Sequence, residues 1–153
     1  MTDDIRPAAL DDVPLVKAVT DAAYHHYIER IGVVPAPMEA DHTAEVAAGR
    51  VFVVGDPVQG VIVLVPEAGH LLLESIAVHP GAHGTGLGRR LLIFAEEYAG
   101  ELGLSEIRLY TNALMWENQQ LYPRYGYEVV ERRVDGPYDR IHYRKSPVRP
   151  SGH

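Results

Sequence analysis

A loop with three closely spaced glycines is the stretch of this chain best suited to holding a ligand. It follows the apolar run at 71–78 and a Pro80-Gly81 break, and it reads His83-Gly84-Thr85-Gly86-Leu87-Gly88. Apolar residues then recur at helical spacing, at Leu87, Leu91, Ala95, Tyr98 and Leu102. Glycine lets a backbone approach a ligand closely, and the first amides of a helix have no partner within it. The spacing therefore predicts a phosphate site at a helix N-terminus.

The same loop lacks the residues that two common phosphate ligands require. No Gly-Lys-Ser/Thr follows it, so the lysine and hydroxyl that hold a nucleoside triphosphate and its magnesium are missing from the loop. The dinucleotide fingerprint is G-x-G-x-x-G, whereas the glycines here are spaced G-x-G-x-G. A glycine-rich turn that only packs a helix on a sheet is the alternative that these residues alone leave open.

Glu74 is the one charged residue in the apolar run at 71–78, which is typical of a covered β-strand. By the two-residue period of a strand, it shares a face with Leu72, Ile76 and Val78. A carboxylate among apolar neighbours has a raised pKa, which suits a general base near neutrality. The alternative is a glutamate at the solvent end of the strand or one paired with an arginine.

Periodicity, glycines and prolines predict eleven elements in the order β-α-α-β-β-β-α-β-α-β-β. The predicted helices are 12–30, 39–48, 87–102 and 113–122, with Gly49 and Gly103 as C-terminal stops and Pro123 as a further stop. The predicted strands are 3–7, 51–54, 60–65, 71–78, 106–111, 127–134 and 140–144. We expect one domain over 1–146 and a loose tail over 147–153.

Composition narrows the classes of function. The net charge of −7 disfavours binding to nucleic acid or to an anionic membrane, which both need basic surface. The absence of cysteine and of an apolar leader fits a cytoplasmic protein, and no apolar run approaches the ~20 residues that span a bilayer. The eight histidines include no compact ligand pair, so we expect no metal.

A second motif, TNALMWENQQLYPRYGY, lies at 111–127. It resembles the N-x-x-[AS]-x-x-x-Y-x-x-x-G-[FY] element of the GNAT acetyltransferase superfamily, and Val78–Gly88 resembles the acetyl-CoA loop V-x-P-x-x-[RQ]-x-x-G-x-G of that family. His83 stands where the family usually has Arg or Gln. The order of elements matches over nearly the whole chain. The resemblance implies an α/β fold with a mixed, mostly antiparallel central sheet, helices on both faces, and acetyl-CoA as co-substrate.

The resemblance also implies which residues contact the co-substrate. Amides on the strand would pair with the pantetheine arm, and one of them would bond the thioester oxygen. The loop amides would hold the pyrophosphate, with Arg89, Arg90 and Arg124 as further candidates for the phosphates. These strand and loop positions are Ile76, Ala77, Val78, His83, Gly84, Thr85, Gly86, Leu87, Gly88 and Arg89.

The second motif supplies the remaining candidates. Asn118 and Tyr122 lie i, i+4 on one helical face. By the resemblance, Asn118 bonds the pantetheine arm and Tyr122, a phenol with an ordinary pKa of about 10, protonates the departing thiolate. A core aromatic is the alternative for Tyr122. The resemblance further implies that the stretch from Tyr24 through Tyr27 to Met38 borders the acceptor cleft, and the alternative for it is an ordinary helix surface with a loop.

We therefore expect an acetyl-CoA-dependent N-acetyltransferase in which an amine attacks the thioester directly, with Tyr122 as acid and Glu74 as base, directly or through water. A non-catalytic acyl-CoA-binding or regulatory module on the same fold is the second hypothesis. The acceptor is expected to be a small-molecule or peptide amine, and no motif selects among amines. Homodimers are common in the family, and a homodimer is an expectation from the resemblance alone.

Overall fold

The structure, a computed structural model, describes residues 4–146. Within them the chain forms seven strands: β1 Arg6–Pro7, β2 Val51–Val54, β3 Gly60–Glu67, β4 His70–Val78, β5 Ile107–Asn112, β6 Glu128–Asp135 and β7 Tyr138–Lys145. It also forms five α-helices: α1 Val13–Tyr24, α2 Tyr27–Ile31, α3 His42–Ala47, α4 Leu87–Glu101 and α5 Trp116–Arg124. None of these helices is long and apolar enough to cross a membrane.

The strands follow the order β1-β2-β3-β4-β5-β7-β6 in a seven-stranded sheet. The pairs β1–β2, β2–β3, β5–β7 and β6–β7 are antiparallel. The pair β4–β5 is parallel, with Leu71 opposite Ile107 and Leu73 opposite Leu109. The expected class, a mixed and mostly antiparallel sheet with helices, is confirmed.

The chain divides into two compact units. One contains residues up to 65 together with 74–94, and the other contains 66–73 together with the residues from 95 onward. β4 and α4 each contribute residues to both units. The single domain over 1–146 stays a prediction, and the loose tail at 147–153 lies outside the described residues.

The helices of the first unit cover both sides of β2. Val51 and Val53 point to one side, into a buried cluster to which α1 contributes Val16 and Val19 and α3 contributes Val46. Phe52 points to the other side, where its ring centroid lies 5.0 Å from that of Phe94 on α4. The alternation along β2 thus places α1 and α3 against one face and α4 against the opposite face.

Gly60 allows α4 to lie close to β3. A Cβ at this position would lie 2.8 Å from Val54 Cγ1, and 3.2 Å from both Leu87 Cδ2 and Leu91 Cδ1. We expect Gly60→Ala to lower the free energy of unfolding by about 1–3 kcal/mol, because packed side chains must shift. Urea denaturation measures the effect. The exposed neighbour Gln59 is the control, and Gln59→Ala should change stability by less than about 0.5 kcal/mol. Equal stability of Gly60→Ala and wild type would contradict this packing.

Three predicted helix boundaries were wrong. The helix expected to reach Arg30 ends at Tyr24, because the Ile28 amide bonds the carbonyl of His25 (3.1 Å) three residues back and interrupts the four-residue ladder. The helix expected over 39–48 begins at 42, after a 3₁₀ turn at Ala36–Glu39. The helix expected over 113–122 is Trp116–Arg124, which contains Pro123 in its last turn.

Candidate active site

The glycine loop leaves β4 through a sequence of local hydrogen bonds. The Gly81 amide donates to His79 Nδ1 at 3.0 Å, and Pro80–Ala82 forms a 3₁₀ turn. The Thr85 hydroxyl donates to the Ala82 carbonyl at 2.6 Å. Gly84 and Gly86 both have φ of +81°, a left-handed conformation that side chains disfavour, which explains the glycines at these two positions.

The loop ends as the N-terminus of α4. The bond from the Arg90 amide to the Gly86 carbonyl (3.1 Å) is the first of the helical ladder, so the amides of residues 87–89 precede it. A Cβ built at Gly84 or Gly86 would meet nothing within 4 Å, so the space beside the loop is open. Free amides at a helix N-terminus, beside open space, are an arrangement that binds a phosphate group.

The side chains at the start of α4 add positive charge. Arg89 is exposed and makes no ion pair with any residue between 4 and 146. His83 is also exposed, and its amide bonds the Pro80 carbonyl at 3.2 Å. The predicted contact of Arg89 with a phosphate stays a prediction.

Tyr24 is hydrogen-bonded to the strand that was predicted to contact the pantetheine arm. Its hydroxyl donates to the Ile76 carbonyl on β4 at 2.8 Å. Ile76 and Val78 are half-buried and Ala77 is buried. The Tyr24 hydroxyl thus holds α1 against the part of β4 that leads into the loop.

Glu74 has a partner that the sequence did not indicate. Glu45 on α3 lies beside Glu74, whose Oε2 is buried with no other hydrogen-bond partner among the described residues. Burial, and then the hydrogen bond and negative charge of Glu74, raise the pKa of Glu45 to about 8. Glu45 therefore keeps its proton at neutral pH. Nothing in the local sequence around Glu45 signals this pairing.

The face that Glu74 was expected to share with Leu72, Ile76 and Val78 stays a prediction. Val78 Cγ2 lies 3.8 Å from where a Cβ on Gly88 of α4 would be, and Glu74 acts on Glu45 of α3.

The residues predicted to border the acceptor cleft all lie in the first unit, and their side chains differ in how much surface they expose. Tyr27 is only 9% exposed; its ring centroid lies 3.9 Å from that of His26, and the Arg30 guanidinium lies 5.1 Å from the centre of its ring. Met38 is half-buried in the 3₁₀ turn that precedes α3. Tyr24 and Met38 thus keep some accessible surface, while Tyr27 is mostly a packing residue.

Asn118 and Tyr122 lie in the second unit, on α5. Tyr122 is 4% exposed, and its ring centroid lies 5.6 Å from that of Tyr127 and 5.8 Å from that of Tyr143. Asn118 is half-buried, with Nδ2 3.7 Å from Met115 Sδ. The i, i+4 placement on one helix is as predicted. Residues 4–146 contain no cluster of three or more metal-ligating side chains.

Comparison with solved structures places this fold among known acetyltransferases. The PaiA N-acetyltransferase of Thermoplasma acidophilum, in complex with coenzyme A, superposes with a TM-score of 0.81 at 19% identity, over 95% of this chain and 99% of that one. The ribosomal-protein-S18-alanine N-acetyltransferase of Escherichia coli gives 0.75 at 19% identity, over 99% and 97%. YncA, a putative acetyltransferase of Salmonella typhimurium with its cofactor acetyl-CoA, gives 0.71 at 18% identity, over 95% and 94%.

The glycine loop, its strand and the α5 motif all fall within one sequence match. Residues 47–129 match the family model described as the acetyltransferase (GNAT) domain. The match covers more than half of the chain, and the chain belongs to the GNAT acetyltransferase family. A comparison with curated proteins found no match.

Proposed function

We propose that the protein transfers an acetyl group from acetyl-CoA to an amine. The observation that carries the proposal is the loop at 79–90, where two left-handed glycines lead into a helix N-terminus with free amides. Two similar proteins support the choice of ligand, because one is in complex with coenzyme A and another with acetyl-CoA. The loop fits a pyrophosphate, which is the charged centre of coenzyme A.

The loop and β4 divide the binding of the co-substrate between them. The amides of residues 84–89 and the side chain of Arg89 hold the pyrophosphate. The backbone of Ile76–Val78 pairs with the pantetheine arm as an added strand would, and Tyr24 fixes that stretch through the Ile76 carbonyl. Asn118 adds a hydrogen bond to the pantetheine arm, an assignment that rests on its motif. Acetyl-CoA supplies the thioester whose acetyl group is transferred.

Glu74 and Tyr122 move the protons in the proposed reaction. Glu74, directly or through one water, accepts a proton from the attacking amine as the bond between nitrogen and the carbonyl carbon forms. An amide of β4 donates to the carbonyl oxygen while negative charge develops there. As the carbon–sulfur bond breaks, Tyr122 donates its proton to the sulfur. The role of Tyr122 comes from its place in the α5 motif.

The acceptor amine would enter on the side of Tyr24, Tyr27 and Met38. Glu74 is half-buried on β4, and its carboxylate is the hydrogen-bond acceptor that we assign to that amine. One of the similar proteins is named as an N-acetyltransferase that acts on the alanine of a ribosomal protein. We therefore include peptide N-termini with small amines in the acceptor class.

Titration calorimetry with acetyl-CoA tests the binding half of the proposal. We expect saturable one-site binding by acetyl-CoA and by coenzyme A, and far weaker binding by pantetheine, which lacks the pyrophosphate. Arg89→Ala should weaken both coenzyme complexes and leave pantetheine unaffected. No binding by acetyl-CoA at millimolar concentration would contradict the proposal. A non-catalytic acyl-CoA-binding module would bind equally well, so it is separated by turnover with amines.

Tyr122→Phe tests the acid role. We expect kcat to fall about 100-fold with the KM for acetyl-CoA little changed, because the phenol acts on the leaving sulfur rather than in binding. Steady-state kinetics with thiol detection measures this loss, and the chain has no cysteine to interfere. Tyr125→Phe, at a half-buried tyrosine just after α5, is the matched control. Full turnover of Tyr122→Phe across the pH range would remove Tyr122 from the mechanism.

A further inference from the structure

The carboxyl groups of Glu45 on α3 and Glu74 on β4 form a pair that needs a proton. Asp41 caps α3, since its carboxylate accepts from the Ala44 amide at 3.0 Å, and this fixes the first turn of the helix that carries Glu45. Glu74 lies in the middle of β4. The hydrogen bond between the two carboxyl groups requires a proton, because two carboxylates have no donor to share.

The surroundings of the pair offer little positive charge to replace that proton. The charged groups that act on Glu45 are Glu74 on β4, Asp41 before α3 and Arg50 after it. Arg50 is exposed, so water screens its charge. His42, one turn before Glu45, is buried with neither ring nitrogen hydrogen-bonded to a described residue.

His42 adds no compensating charge either. Burial lowers the pKa of His42, as does the positive charge of Lys17, while Asp21 and Asp41 oppose that effect. His42 is therefore neutral at neutral pH, and α1 brings to this region only the Lys17–Asp21 ion pair (3.0 Å). A proton, rather than a buried cation, therefore reduces the negative charge of the two carboxyl groups.

We propose that Glu45 is a positioning residue that holds a proton and donates it in a hydrogen bond to the Glu74 carboxylate, which orients that carboxylate for the acceptor amine. This inference rests on the proposed function for the role of Glu74 as base. The hydrogen bond orients the Glu74 carboxyl group, whose Oε2 is buried with no other hydrogen-bond partner among the described residues. The pair carries one negative charge at neutral pH, which suits the approach of a cationic or polar amine.

The protonation state is tested without any substrate. Carbon-detected NMR of protein labelled at the glutamate carboxyl carbons follows each side chain through a pH titration. We expect one glutamate to titrate near pH 8 in the wild type, far above the ordinary value of about 4.3. Glu45→Gln should remove that transition, and Glu74→Gln should lower it. The exposed Glu97 on α4 supplies the control Glu97→Gln, which should leave the transition in place.

The positioning role is tested by the pH dependence of kcat with saturating amine. In the wild type, kcat should fall above about pH 8, where Glu45 loses the proton it donates. Glu45→Gln keeps a donor at every pH, so its kcat should stay within about threefold of wild type at pH 7 and should not fall above pH 8. Glu45→Ala has no donor and should lose about tenfold or more at every pH, with the KM for acetyl-CoA unchanged.

The outcomes separate this inference from the proposed function. A glutamate that titrates near pH 8 only when both residues are present, in a protein that turns over no amine, would support the shared proton and contradict the base role. Turnover by a protein in which every glutamate titrates below pH 6 would overturn the inference and leave the proposed function standing. Equal kcat in Glu45→Ala and Glu45→Gln would overturn the positioning role, because a structural role alone does not distinguish a donor from a methyl group.

Discussion

Gly86→Glu is expected to weaken acetyl-CoA binding at least about 100-fold, or about 2.7 kcal/mol. Gly86 immediately precedes α4, and its carbonyl accepts the first helical bond, from Arg90. A carboxylate there would occupy the open space beside the loop and would place negative charge against a pyrophosphate. Calorimetric titration of the purified variant measures the loss.

The control for Gly86→Glu must carry the same backbone strain and the same charge. Gly69, in the turn between β3 and β4, has a φ of +85° and open space around its Cβ position, closely matching Gly86. Gly69→Glu should therefore lose similar stability and bind acetyl-CoA like wild type. If both variants bound acetyl-CoA with wild-type affinity, the loop would not be the pyrophosphate site.

Glu74→Gln is expected to lower kcat by about 10²–10⁴-fold, the usual contribution of a general base. The amide keeps the size of the side chain and can still bond Glu45, but it cannot accept a proton from an amine. The KM for acetyl-CoA should change little, because the proposed contact of Glu74 is with the acceptor. Steady-state kinetics between pH 6 and 10 measures both parameters.

The shape of the pH profile distinguishes a lost base from a distorted site. With the base removed, turnover by Glu74→Gln should rise with pH as the free amine deprotonates in solution. Glu97→Gln removes an exposed carboxylate from α4 and should behave as wild type. An unchanged kcat and an unchanged profile in Glu74→Gln would show that another group, or water alone, takes the proton.

The elements that the sequence predicted best are those set by local chemistry. The turn after Pro80 and the start of α4 at Leu87 both follow from glycine, proline and helical spacing. The hairpin of β2 and β3 follows from two apolar runs and the turn between them. Such features depend on neighbouring residues, so a single sequence contains most of their causes.

The features that the sequence did not predict depend on residues far apart in the chain. Glu45 is a glutamate in the first turn of a short helix, and only the packing of α3 against the sheet brings it to Glu74. The bond from Tyr24 to the Ile76 carbonyl likewise joins distant segments.

The roles of Asn118 and Tyr122 came from the motif rather than from the chemistry of an isolated residue. Both side chains lie on α5 as the motif predicts, and Tyr122 is buried against two other tyrosines. From periodicity alone, the same residue is indistinguishable from a core aromatic. The kinetics of Tyr122→Phe therefore distinguish the acid role from a core packing role.

Turnover with a panel of amines tests the central claim most directly. The wild-type protein is incubated with acetyl-CoA and, in turn, peptide N-termini, lysine peptides, polyamines, aminoglycosides and amino acids, with detection of free thiol and of the product mass. Since the chain has no cysteine, the thiol detected is that of coenzyme A. We predict amine-dependent thiol release, with one acetyl group added to the amine and loss of the signal in Glu74→Gln. Tight binding of acetyl-CoA without acetylation of any amine in the panel would contradict the account and would favour a non-catalytic acyl-CoA-binding protein.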